Sequence, residues 1–125
     1  MKLSKHACLA VAVGMTVVAA AAEAEAHPRL VTATPAPNGV AKGSPSVLRA
    51  TFSEPLVAVF SGFQVKTAAG VLVPTGKPAL DPRNRRTIVA AVVRPLAPGG
   101  YIVNWRAVSA DTHRLTGRYA FRVTR

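Results

Sequence analysis

Tyr101-Ile102-Val103-Asn104-Trp105-Arg106-Ala107-Val108-Ser109-Ala110-Asp111-Thr112-His113 is the stretch from which the fold can be read. Residues 101–108 alternate. Tyr101, Val103, Trp105 and Ala107 share one side, opposite Asn104 and Arg106, which is the period-two pattern of a strand with one buried face. Downstream, Tyr119, Phe121 and Val123 repeat it, with Arg118 and Arg122 facing out. Upstream, Leu48, Ala50 and Phe52 alternate with Arg49 and Thr51. Residues 30–34, 63–67, 71–73 and 87–93 are further β-branched or apolar runs. Pro35-Ala36-Pro37-Asn38-Gly39, Ala68-Ala69-Gly70 and Leu96-Ala97-Pro98-Gly99-Gly100 separate them as turns. No window carries a helical stripe. Short strands with turns at intervals of about 10 residues predict an all-β sandwich.

The other end of the chain reads differently. Lys2 and Lys5 precede an apolar stretch over residues 7–22, and Ala24-Glu25-Ala26 has the small-x-small form of a peptidase site. That is the anatomy of a secretory signal peptide, here residues 1–26. Left in place, the stretch would be a marginal membrane anchor, because a span needs roughly 20 residues. Cys8 lies too early to be lipidated at the cut. Cleavage after Ala26 makes His27 the first residue; cleavage after Ala24 is the rival. Removing 26 of the 125 residues leaves 99, residues 27–125, enough for one domain. Met1, Met15, Cys8 and His6 leave with the signal, so the exported chain has no sulfur and its histidines are His27 and His113. With no disulfide, packing alone must hold an exported domain together.

Lys2 and Lys5 are matched by Glu23 and Glu25, so the net charge of +11 survives cleavage. In a cytoplasmic protein such a balance would point first to nucleic acid. In an exported one it points instead to an anionic surface or an acidic protein face, and no nucleic-acid partner is expected. The arginines are scattered, apart from Arg83, Arg85 and Arg86. A scatter of that kind is what a solvated face also shows.

Two places carry donor atoms. A free His27 offers an α-amine and an imidazole on one residue, a chelating pair that no internal histidine has. Pro28 lacks an amide hydrogen, so a metal held there cannot wrap itself in the next backbone nitrogen and must be completed from elsewhere. The second place is the end of the quoted stretch. Asp111 and His113 are two apart, and in extended chain they would aim a carboxylate and an imidazole the same way. Three nitrogens and an oxygen, if planar, suit Cu(II) or Ni(II), and the affinity order favours copper. Asp111 capping a turn beside a half-exposed His113 is the alternative reading of the same residues.

His27-Pro28-Arg29-Leu30-Val31, Thr51-Phe52-Ser53-Glu54-Pro55, Phe60-Ser61-Gly62, residues 104–113 and Thr116-Gly117 together resemble the CopC family of periplasmic copper-binding proteins. The Trp-Arg-x-x-Ser-x-Asp-x-His block is the specific part. The resemblance implies a seven-stranded Greek-key β-barrel or sandwich, cupredoxin-like or immunoglobulin-like, over residues 27–125. It implies one Cu(II) per chain, on His27, Asp111 and His113, with Glu54 close by as an outer acid. It also implies a periplasmic location, a role in copper homeostasis or resistance, and a membrane copper transporter of the CopD kind as partner. The sequence departs from well-known members in two respects. The middle stretch, 64–77, holds no methionine or histidine, and Cu(I) prefers soft sulfur ligands, so only the Cu(II) site is expected. Arg114 stands where a proline often follows the second histidine.

Three function classes follow. A copper carrier or buffer, not an enzyme, fits the ligand set. A copper-dependent oxidative enzyme would want open positions for oxygen, one of which Asp111 would fill. A metal-free extracytoplasmic β-sandwich interaction module is the third. A cupredoxin that passes single electrons is excluded, since its copper needs a cysteine thiolate. Free amines titrate near ~8 and free imidazoles near ~6.5, so metal uptake should release protons and weaken in acid. Trp105, six positions before Asp111, is an expected reporter of bound copper.

Overall fold

The computed structural model describes residues 28–125. The expected signal peptide and cut site, with His27, lie outside the described residues. The elements run β1 (Leu30–Thr34), β2 (Val40–Lys42), β3 (Val47–Phe52), a 3-10 turn (Ala58–Phe60), β4 (Gly62–Thr67), β5 (Leu72–Val73), β6 (Ala79–Asp81), β7 (Asn84–Ala91), β8 (Gly99–Val108) and β9 (Arg114–Thr124). They form two open sheets, ordered β1-β3-β7-β6 and β2-β9-β8-β4-β5. β4–β5, β6–β7 and β8–β9 are hairpins, and every other connection passes from one sheet to the other, as in a Greek-key sandwich.

The alternation read from the sequence sets the core. Leu48, Ala50 and Phe52 of β3 and Ile88 and Ala90 of β7 face inward from the smaller sheet. Phe63 and Val65 of β4, Tyr101, Val103, Trp105 and Ala107 of β8, and Tyr119, Phe121 and Val123 of β9 meet them from the larger one. Burial of these side chains, each worth about 1.5–3 kcal/mol when complete, does what a disulfide does in many exported domains. Tyr101 stacks on Phe121 at 5.4 Å between ring centroids, and its hydroxyl donates to the Ala97 carbonyl at 2.6 Å.

All the predicted strands are present. β2 and β6 are additional, and at three residues each they are too short to show a period. β2 pairs in parallel with the end of β9. β6 closes a hairpin onto β7, where Arg49 of β3 bonds the Asp81 carboxylate. β7 starts at Asn84, not at Thr87, because exposed Arg85 and Arg86 belong to the strand although their polarity hides it.

Candidate metal centre

The β8–β9 hairpin turns at residues 109–113. β8 delivers the chain in place: the Val108 amide donates to Ser61 Oγ at 3.0 Å, and the Val57 amide donates to the Val108 carbonyl at 2.8 Å. Leu56 bridges to Ser109. Within the turn, the Thr112 amide donates to the Ser109 carbonyl at 2.9 Å and the Ser109 amide to the His113 carbonyl at 3.0 Å. Thr112 takes φ 70°, which is uncommon for a β-branched residue, and its hydroxyl donates to the Asp111 carbonyl at 2.5 Å. The chain therefore reverses here, and the extended geometry expected between Asp111 and His113 is not what pairs them.

The reversal still brings the two side chains together. His113 Nδ1 lies 2.7 Å from Asp111 Oδ2, with both side chains nearly half exposed. Buried Ser109 donates its hydroxyl to Asp111 Oδ1. That hydrogen bond, followed by the one from His113, holds the Asp111 carboxyl down at about 2 against an ordinary 3.8. A depressed carboxyl adds stability above its unfolded value and loses it as pH falls through the folded one. Here that window lies below about 3.8, so Asp111 is a full carboxylate at any working pH. Ser109→Ala should move the Asp111 midpoint upward toward the ordinary range; a carboxyl carbon NMR titration reads this directly. An unmoved midpoint would show that Ser109 does not set the charge.

The amino-terminal arm is fastened to the same end of the sandwich. Pro28 is fully buried. The Arg29 amide donates to Ser53 Oγ, and the Ser53 amide to the Arg29 carbonyl, both at 2.8 Å. Leu30 then pairs with Phe52. The segment 53–56 thus ties the arm at Ser53 and the 109–113 turn at Leu56. Glu54 lies between these ties, half-buried, with no hydrogen bond or ion pair among the described residues. Among the described residues no three His, Cys, Asp or Glu side chains gather; the part of the predicted site that is described is the Asp111–His113 pair.

Ser109 is the residue the sequence reading left without a role. Its place two before Asp111 was the available signal, since a serine hydroxyl at that spacing bonds a carboxylate locally. Trp105, the expected reporter, is buried and meets Phe52 edge-on at 5.0 Å. Gly117 lies opposite it on β9. A Cβ there would stand 2.3 Å from Trp105 Cζ2, so the bare glycine is what lets the indole lie flat at this end of the core.

The CopC domain family matches residues 30–124. The "Copper resistance protein C" of Pseudomonas syringae pv. tomato is 38% identical over 124 residues, covering 90% of this chain and 90% of that protein. The crystal structure of PcoC, described as a methionine rich copper resistance protein from Escherichia coli, superposes with a TM-score of 0.72 at 34% identity, over 79% of this chain and 100% of that one. The structure of CopC from Methylosinus trichosporium OB3b gives 0.72 at 27% identity, over 78% and 93%.

Proposed function

The chain belongs to the CopC domain family, and from that premise we propose that it is a periplasmic carrier or buffer of copper, not a catalyst. It takes one Cu(II) on the amine and imidazole of a processed His27, with Asp111 and His113. The observation that carries the reading is the Asp111–His113 pair. A first-row divalent ion that bonds nitrogen and oxygen at about 2.0 Å and prefers a square plane sets neighbouring donors about 2.8 Å apart. Oδ2 and Nδ1 stand at 2.7 Å, so the metal would take the place of the proton they share. The buried Pro28 and the Arg29–Ser53 hydrogen bonds support a terminal residue held at this end of the fold.

The donor set is hard to intermediate. The Escherichia coli relative is described as methionine rich, whereas the methionines here are Met1 and Met15, both ahead of His27. Cu(I) prefers thioether and thiolate, so the exported chain should bind Cu(I) no more tightly than micromolar. A competition titration against a Cu(I) chelator checks this, and a tighter complex would contradict a site for Cu(II) alone. Delivery to a CopD-like membrane transporter is the role that the carrier reading assigns.

The ligands dictate how copper is held and released. Each nitrogen must lose its proton to bind, whereas Asp111 is already ionised down to about pH 2. Acidification from neutral pH therefore releases copper through the nitrogens, with proton uptake. The test is a Cu(II) titration of the exported protein, followed by Trp105 fluorescence and by electron paramagnetic resonance. A 1:1 endpoint is expected, together with quenching and affinity that falls as pH falls. His113→Ala should weaken binding by about tenfold or more, at least the loss of an outer metal partner. Wild-type affinity in that variant would remove His113 from the ligand set.

A further inference from the structure

The outward face of the larger sheet carries a feature that copper binding does not use. Strand register sets Gln64 beside Asn104 and Asn104 beside Arg118, while Arg106 lies one pleat on, beside Thr116. The chain at Lys77-Pro78 rises over this face: Pro78 Cβ is 3.7 Å from where a Gly62 side chain would begin. The result is an open cleft of about 770 Å³, whose lining includes Lys77, Arg106 and Arg118 with Gln64 and Asn104, and no carboxylate. The ion pairs among the described residues are Arg49–Asp81 and His113–Asp111. The three cations of the cleft thus face no acid among those residues.

One rim of the cleft is apolar. In the 3-10 turn, Ala58 and Val59 line the cleft, Val59 being 81% exposed, and Phe60 beside them is 55% exposed. Arg106 Nε donates to the Phe60 carbonyl at 2.7 Å, which fixes the guanidinium beside that rim. The same turn reaches the metal site, because the Val57 amide before it bonds Val108, the residue ahead of Ser109. The apolar rim is therefore tied, through one backbone hydrogen bond, to the end of β8 that leads into the Asp111–His113 turn.

We propose that this cleft docks an acidic segment of a partner protein. Carboxylates lie against Arg106, Arg118 and Lys77, an apolar side chain packs on Val59 and Phe60, and the partner is brought beside the copper. Arginine suits this, since its planar fork takes a carboxylate through two parallel hydrogen bonds. Gln64 and Asn104 each offer a donor and an acceptor to a peptide backbone. The cations line a concavity under the 77–78 segment, which a narrow chain enters and a flat lipid surface does not. That the partner receives copper rests on the reading above; the docking itself does not.

The test uses the metal-free exported protein and a fluorescent synthetic peptide of glutamate and leucine, with binding read by anisotropy at physiological salt. Arg106→Glu with Arg118→Glu should weaken binding by about tenfold or more, since reversal sets like charges face to face. Val59→Ser should weaken it severalfold. Arg83→Glu with Arg86→Glu makes the same change of net charge away from the cleft and should cost less than about twofold, as expected where screening limits reach. The milder pair Arg106→Gln with Arg118→Gln replaces the reversal if circular dichroism shows misfolding, with the same direction expected. Equal weakening by the two reversals would reduce the effect to net charge and overturn the proposal. So would phosphatidylglycerol vesicles that depend on Arg106 and Arg118 while the peptide fails to bind. Copper titration of the wild-type protein is a separate readout. Peptide docking without copper binding overturns the carrier reading alone, and copper binding without peptide docking overturns this inference alone.

Discussion

A protein that carries a long, histidine-free tag ahead of His27 should bind Cu(II) at least about a hundredfold more weakly than the processed form, a larger loss than the 10–100-fold that removal of an outer partner causes. The extension turns the terminal amine into an amide, a far poorer donor, and breaks the chelate that imidazole and amine form on one residue. Pro28 cannot supply a deprotonated amide in compensation. The arm has no slack to improvise: Pro28 is buried, and Arg29 is bonded to Ser53 at both amide and carbonyl. The check is a competition titration of processed and extended proteins side by side. Circular dichroism should show the same fold in both, because nothing in the packing of residues 28–125 requires the amine. Equal affinities would take the amine out of the ligand set.

The second large effect is on stability. Gly117→Ala should lower it by about 3 kcal/mol, the upper end for overpacking, and lower Tm by roughly 12–24 °C for a domain of this size. The reason is a contact that cannot relax cheaply. The new Cβ would fall 2.3 Å from Cζ2 and 2.6 Å from Cε2 of Trp105. The indole is itself braced by Phe52 from the other sheet. A pairing in β8–β9 would have to open, or the indole would have to leave the core. Trp105→Ala should cost about 3–5 kcal/mol through the cavity it leaves. The double variant Trp105→Ala/Gly117→Ala should lose less than the sum, because the clash and the cavity concern the same space. Thermal unfolding of the three variants reads this directly, and strictly additive losses would show that Gly117 does not accommodate the indole.

The sandwich was legible because its large strands each bury one face and expose the other. Residues 101–108, 119–123 and 48–52 state their registers in plain alternation, and the structure keeps every one of those faces. β2 and β6 were not legible, since three residues carry no period and their pairing is decided by β9 and β7. The start of β7 was hidden by Arg85 and Arg86, solvent-facing residues on a strand recognised by its apolar end. At the site, the closeness of Asp111 and His113 was expected, but for the wrong local reason: a reversal at Thr112 replaces the extended chain. Ser109 was missed although its spacing from Asp111 was visible, because spacing alone does not say which way its hydroxyl turns; the folded turn does. The cleft was out of reach, since Gln64, Asn104 and Arg118 become neighbours only through the register of three strands.

Electron paramagnetic resonance of the processed protein with one equivalent of Cu(II) tests the central claim most directly. Hyperfine structure from three nitrogens in a tetragonal site is expected, with one nitrogen lost in His113→Ala and two altered when a long, histidine-free tag precedes His27. A spectrum of aqueous copper, or one that neither change perturbs, would contradict a centre built from His27, Asp111 and His113.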